Sequence, residues 1–371
     1  MRVGRKVARL FAALVVVACA SGGGGRPAQR GSRPNQQPVE PAGPQAQWPV
    51  LTREHIDLWL HGYAMLLRDS AQVPVFRRGY REALTARRRQ QNVLTSLDAN
   101  HLQLAAAMGR NPEILNGQFL PMYFASFEQM QQTITAFIDA EGNPRQAPDP
   151  NARTLFAVVA SNFPTAQDRE WLRLFMHCLE DESAHFFHQY WMDEQAAKRP
   201  AVIAADSTWQ AYRLRFKRFL DNSQQASGDL VLSTVIGGEG RTVNFSTRRN
   251  VIVATLPGSP AEAAEPIYVL AHEAIQQIAT PAVNDNSSPA EQRNGTASLY
   301  LSVAAVRGGA MLLQRVAPEL ADGYMRYYLR QATGQTPGGA ELQATFGITF
   351  QLPGSMLSAM ARQLDVVLGG I

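Results

Sequence analysis

The chain has 371 residues, 45% of them hydrophobic and 18% charged, with a formal net charge of +4. That composition suits a cored globular protein and excludes an extended, charge-driven disordered chain. The basicity sits at the front: seven of the 35 Lys and Arg lie in residues 1–47 against one acid, Glu40, leaving 28 basic and 30 acidic residues behind. A body with a formal charge of −2 excludes nucleic-acid binding driven by overall charge.

Residues 1–19 read as a secretory signal. Arg2, Arg5, Lys6 and Arg9 form a charged start, and residues 10–17 form an apolar run. That run is well short of the about 20 apolar residues a membrane-spanning helix needs. Its end, Val16-Val17-Ala18-Cys19, resembles a bacterial lipobox. The resemblance implies cleavage before Cys19, a lipid on its thiol, and anchoring in the membrane. Ala20, where an Asp would retain such a protein at the inner membrane, implies sorting to the outer membrane, facing periplasm or surface. With Cys19 lipidated, Cys178 has no disulfide partner, and its apolar helical context predicts a buried small hydrophobe. Residues 20–47 contain Gly, Pro, Gln and Arg and no aromatic residue, so they read as a disordered tether. At roughly 5–6 Å × √n, such a tether spans on the order of 30 Å.

The body divides by pattern. Residues 48–227 form a helical region, with apolar residues at three- and four-residue spacing over 54–68, 93–108 and 127–138. Thr165, after Phe163-Pro164, predicts a helix N-cap. The basic run Arg87-Arg88-Arg89 predicts a solvated helix face. In residues 228–371 the pattern changes: 230–236 (LVLSTVI), 241–245 and 251–256 (VIVATL) predict a small antiparallel meander. Gly237-Gly238-Glu239-Gly240 is the turn between its first strands. Ser259-Pro260 predicts the start of a helix ending near Pro281, with further helices at 297–316, 319–331 and 355–368 and a strand-like stretch at 347–352. The fold class expected is α+β, mainly helical.

The predicted 260–281 helix carries His272-Glu273-Ala274-Ile275-Gln276. In H-E-x-x-H, two imidazoles at i and i+4 reach one Zn²⁺ and the Glu polarises its water. Here Gln276 stands at the second His position. A meander followed by a helix bearing His-Glu resembles the zincin metallopeptidase fold, over residues 228–317, and a third ligand from the next helix would make it similar to the gluzincin branch. The resemblance implies that His272 is a zinc ligand and Glu273 the general base. Gln276 is a poor substitute ligand, and residues 298–315 hold no Asp, Glu or His. Glu291, just before that helix, is the remaining third-ligand candidate.

A second cluster competes. His177, Asp181, His185 and His188 share one side of a helical wheel, opposite Phe175, Leu179, Phe186 and Tyr190. They predict a polar surface or cleft wall, and Glu182 with His185 matches the E-x-x-H pair of di-iron bundles, without a second such pair. His55, His61 and His101 are isolated and predicted structural. The expected protein is a membrane-tethered envelope lipoprotein with a catalytically degenerate metallopeptidase-like domain that binds a peptide, protein or envelope component along its edge strand, without cofactor. The alternative is an active zinc metallopeptidase using His272, Glu273, Gln276 and a non-standard third ligand.

Overall fold

Two runs of β-branched residues set the architecture. A computed structural model describes residues 48–67, 75–246, 249–336 and 338–369; the signal-like segment, Cys19 and the tether lie outside them. The fold is α+β and mainly helical, around one four-stranded sheet. Its strands are β1 (Val50–Leu51), β2 (Gly228–Ser233), β3 (Arg241–Ser246) and β4 (Arg249–Thr255), in the order β1-β2-β4-β3. β1 and β4 both run parallel to β2, and only β3 is antiparallel, to β4. The expected antiparallel meander is thus corrected to a mixed sheet in which β4 inserts between β2 and β3. The physical reason lies in the strands themselves. β2 and β4 are apolar at consecutive positions, as strands buried on both faces are, whereas β3 alternates as a half-covered edge does.

Each face of the sheet nucleates its own core. Val231, Val243, Val251 and Val253 join the helices before the sheet: α1 (Glu54–Leu66), α2 (Tyr80–Gln91), α3 (Ser96–Arg110), α4 (Phe127–Asp139), α5 (Pro150–Asn162) and α6 (Ala166–Glu182). Leu230, Leu232, Ile252 and Ala254 join the helices after it: α8 (Glu265–Ala274), α9 (Gln276–Asn284), α11 (Thr296–Val316), α12 (Pro318–Thr333), α13 (Leu342–Thr349) and α14 (Gly354–Gly369). Short α10 (Pro289–Arg293) precedes α11. The long α7 (His188–Asn222) serves both cores, with Tyr190 in the first and Trp209, Phe216 and Phe219 in the second. The cores therefore part at the sheet rather than at residue 228. α11 is long and apolar enough to cross a membrane by composition, and half of it is buried inside the second core.

Several local expectations meet the structure differently. Thr165 does cap α6, in a reciprocal pairing with Asp168. Ser259 precedes only a 3-10 turn, Pro260–Glu262, and the helix proper starts at Glu265. The strand expected at 347–352 is instead the end of α13 and an extended link, because no strand is beside it to pair with. Arg88 is buried at 3% exposure, so the Arg87–Arg89 run is not wholly a solvated face.

Helix α1 runs through the interior, so its polar residues need partners. Asp57 is buried beyond reach of water and accepts from Ser233 Oγ, from the Thr234 backbone N–H at 3.2 Å and hydroxyl at 2.9 Å, and from Trp191 Nε1 at 3.1 Å. One carboxylate thereby fixes α1 to the end of β2 and the start of α7. Burial still pushes its carboxyl up, against the pull of those four donors. Replacing Asp57→Ala strands the donors in the core and is expected to cost about 3 kcal/mol or more in urea unfolding. Ser233→Ala, which leaves the other three contacts in place, costs less; equal losses would show that Asp57 is not the shared anchor.

Candidate functional site

His272 lies in the last turn of α8, which packs against β4. The helix is interrupted one residue before Gln276: Ile275 forms a turn and α9 begins at Gln276. The residues of the motif therefore do not sit on one uninterrupted helix. His272 is 8% exposed and its ring stacks on Tyr328 of α12, centroids 5.2 Å apart and planes 25° from parallel. Its Nδ1–H donates to Glu273 Oε1 at 3.1 Å, and Gln276 Nε2–H donates to the same oxygen at 3.3 Å. The amide must present its nitrogen there, because its oxygen would face a carboxylate. Burial pushes the Glu273 carboxyl up, but the His272 hydrogen bond and charge, with Arg241 behind them, more than offset this and hold it below the usual range.

Above this helix sits the turn that joins β2 to β3. Gly240 touches it so closely that a Cβ would lie 2.3 Å from Val269 Cγ1, 2.7 Å from the Val253 carbonyl and 3.4 Å from Glu273 Cγ. Only a glycine lets β3 start so close to α8. The Gly238 carbonyl accepts from the Tyr327 hydroxyl at 2.9 Å, which holds the turn down. Glu239 is thereby brought to the His272–Glu273 pair. Burial and the charge of Glu273 raise its carboxyl, while His272 and Arg241 work against them. Two neighbouring carboxyls are thus pushed in opposite directions. Around them, Glu273 Oε2 and the hydroxyls of Thr242, Thr255 and Tyr328 are buried without a hydrogen-bond partner. Unpartnered buried polar atoms are thus gathered around Glu273.

A three-ligand zinc site does not fit this donor set. Gln276 turns an N–H, not an oxygen, inward. Glu291 is exposed in the capping turn of α10, bonded to the Ser288 N–H and hydroxyl at 2.8 Å and to Tyr300 at 3.4 Å. No contact joins Glu291 to His272 among the described residues, and none of those residues form a group of three His, Cys, Asp or Glu able to hold a metal. The expected edge strand is β3, and its aromatic neighbours come from the chain itself: Arg241 stacks over Phe119 and Tyr123 meets Phe245 edge-on at 4.8 Å.

The histidine face of α6 is divided by a π-helical turn, Ser183–Phe187, whose extra residue shifts the phase of all that follows. His177 lines a shallow hollow with Arg173, Glu180 and Asp139. Asp181 accepts from the first N–H of α3 at 2.6 Å and pairs with exposed His185 at 3.0 Å. His188 turns to Glu54 at 2.9 Å. Glu182, the acid of the E-x-x-H pair, points into the core and away from His185. It accepts from His61 Nε2 at 3.0 Å and from Thr95 Oγ1, with Arg88 at 3.3 Å, while His61 Nδ1 meets the Tyr80 hydroxyl at 3.0 Å. His61 is therefore structural but not isolated. His55 is likewise buried, its Nε2 against the Phe124 carbonyl at 3.1 Å, and burial lowers it to about 4. Cys178 is buried as expected, its thiol pushed up to about 11 by desolvation.

No family model, curated protein or solved structure matches this chain. The site stands on its own geometry.

Asp57 carries no sequence motif, and Glu182, Arg88 and Glu239 have roles here that differ from those their motifs suggested. The available signal was their position, polar letters at apolar phases of helices and a lone acid in a glycine turn. Burial raises Glu182, but His61, then Arg88 and Thr95, outweigh it and leave its carboxyl below the usual value. Its stabilising share is therefore full above about pH 4.5 and is lost as pH falls through the lower native value. Glu182→Gln should cost about 3–5 kcal/mol at pH 7, because Arg88 and His61 lose a buried partner. In denaturant titrations the gap to the wild type should narrow as pH falls below about 4.5 toward the lowered native value; an unchanged gap would assign the loss to packing instead.

Proposed function

We propose that the chain is a membrane-tethered envelope lipoprotein whose His272 helix is a non-catalytic relic of a metallopeptidase site and whose role is binding. The observation that carries this reading is the single oxygen of Glu273 that receives both His272 and Gln276. A general base works with an unencumbered lone pair and a matched pKa, and this carboxylate is engaged by His272 and Gln276 and held low. The aromatic residues of the 3-10 segment Pro112–Tyr123 stand beside β3, so a ligand added as an extra strand is disfavoured. An open groove of about 490 Å³ between α1, the start of α4 and the π turn offers mixed charge from Arg53, Glu54 and Glu128, with the His188 ring beside them. Its size and polarity suit a short peptide or another polar envelope component.

The peptidase alternative draws support from one feature, the unpartnered Glu273 Oε2. Metal analysis separates the two. Purified protein is expected to carry well under one equivalent of zinc, and zinc should move its melting temperature little. A tight site would add ~4 kcal/mol at a thousandfold excess over Kd. Gln276→His alone should create no peptidase activity. Stoichiometric zinc lost on His272→Ala, with proteolysis lost on Glu273→Gln, would establish the enzyme instead. For the anchor, labelled fatty acid should enter the wild type and not Cys19→Ala; label persisting in the variant would remove the lipidation site from Cys19.

A further inference from the structure

Helix α7 changes character along its exposed side. Between residues 199 and 218 no exposed position carries a carboxylate; Arg199, Arg215, Lys217 and Arg218 are exposed, and so are Ile203 at 56% and Leu214 at 73%. Residues 198–218 hold six basic residues and one acid, Asp206, on a body that is otherwise slightly acidic. Arg199, Ile203, Gln210, Leu214 and Lys217 follow one another at spacings of four, seven, four and three residues, which keeps them on one face. Two ion pairs touch it, Arg215 with Glu319 at 2.5 Å at its margin and Lys217 of the face with Asp221. Such exposed pairs contribute little and exchange readily for other anions. Among the described residues Arg218 bonds a neutral acceptor, the Gly369 carbonyl, and no carboxylate.

The second observation is where the tether joins. Trp48 is anchored on α7: Trp209 Nε1 donates to its carbonyl at 2.7 Å, and its own Nε1 donates to the Gln225 carbonyl at 3.0 Å. Trp48 lines one hollow together with Arg213, Leu214 and Lys217. The first described residue, Trp48, thus sits beside Leu214, at the end of the basic apolar face.

We propose that this face of α7 docks on anionic lipid headgroups, laying the folded body against the membrane that the tether enters. The orientation rests on the Cys19 anchor; the surface chemistry does not. Guanidinium and ammonium groups meet headgroup phosphates while Ile203 and Leu214 enter the interface between them. Each basic side chain near an anionic surface multiplies binding by roughly fivefold. A weak face suffices, because a short tether holds its effective concentration near millimolar.

The test uses the mature chain without lipid, residues 20–371, which contains every described residue. It should co-sediment with vesicles containing phosphatidylglycerol, not with pure phosphatidylcholine, and be released by high salt. Lys217→Gln with Arg218→Gln should lower that binding by roughly thirtyfold. Leu214→Ser should lower it severalfold at an unchanged melting temperature, since the side chain is exposed. Equal binding to neutral vesicles, or indifference to these variants, overturns the proposal. Tighter binding to duplex DNA or heparin that ignores Leu214 overturns it too and makes the face a polyanion site. Fatty-acid labelling of the wild type reads the anchor separately. Labelling without vesicle binding sinks the docking face alone, and vesicle binding without labelling sinks the anchor alone.

Discussion

Burial of both faces of β4 is the constraint on which the molecule depends. Val251 and Val253 look toward one core, Ile252 and Ala254 toward the other, and the last three pair in register with Val231, Leu230 and Leu232, buried residues of β2. An inner strand of this kind needs a layer of helices on each side. The helices before the sheet supply one layer and those after it the other. α7 is long because it must cross from the first to the second, and its π turn lets Phe186 and Phe187 stay buried while the helix is rephased for Trp209 and Phe216. β1 is only two residues, yet it carries Trp48 to the rim of the second core.

Against that apolar frame, three buried carboxylates show three degrees of satisfaction. Asp57 has four donors and joins three elements. Glu182 has a histidine, a hydroxyl and a guanidinium, and ties α1, α2 and α6 together through Thr95 and Tyr80. Glu273 has two donors on one oxygen and none on the other. A buried polar group left half-paired loses on the order of 1–3 kcal/mol. Asp57 and Glu182 hold the protein together; Glu273 sits where stability is being spent.

The sequence made the helical majority legible because periodicity over a dozen residues is a strong signal, as in 54–66 and 127–139. It also made Thr165 and the buried Cys178 legible. Strand pairing was not, since order in a sheet is a long-range property. The unbroken apolar letters of β2 and β4 were a readable sign of two-sided burial, and the alternation of Arg241-Thr242-Val243-Asn244-Phe245 was a sign of an edge. For the site, His272 and Glu273 were found through their motif. Glu239 was hidden because its importance comes from Gly240 resting on α8, and no local pattern reports that contact. Glu182 was read with the wrong partner because the π turn breaks the i, i+3 geometry that E-x-x-H assumes.

The carboxamide at 276 acts as a hydrogen-bond donor to Glu273. An imidazole bound to zinc presents a lone pair to the metal and leaves the neighbouring carboxylate to the water. A glutamine in the same place presents N–H groups, and the nearest acceptor is that carboxylate. The amide thus closes an internal hydrogen-bond network, with His272 drawn into it through Nδ1 and covered by Tyr328. Packing alone would favour an apolar side chain at 273, which would leave nothing unpaired. The site instead retains an acid with one open oxygen beside a second acid whose proton is held more tightly, beneath a glycine turn pinned by Tyr327. Such an arrangement is set against stability, and a polar cluster that departs from the consistency of the surrounding core is where function is expected to reside.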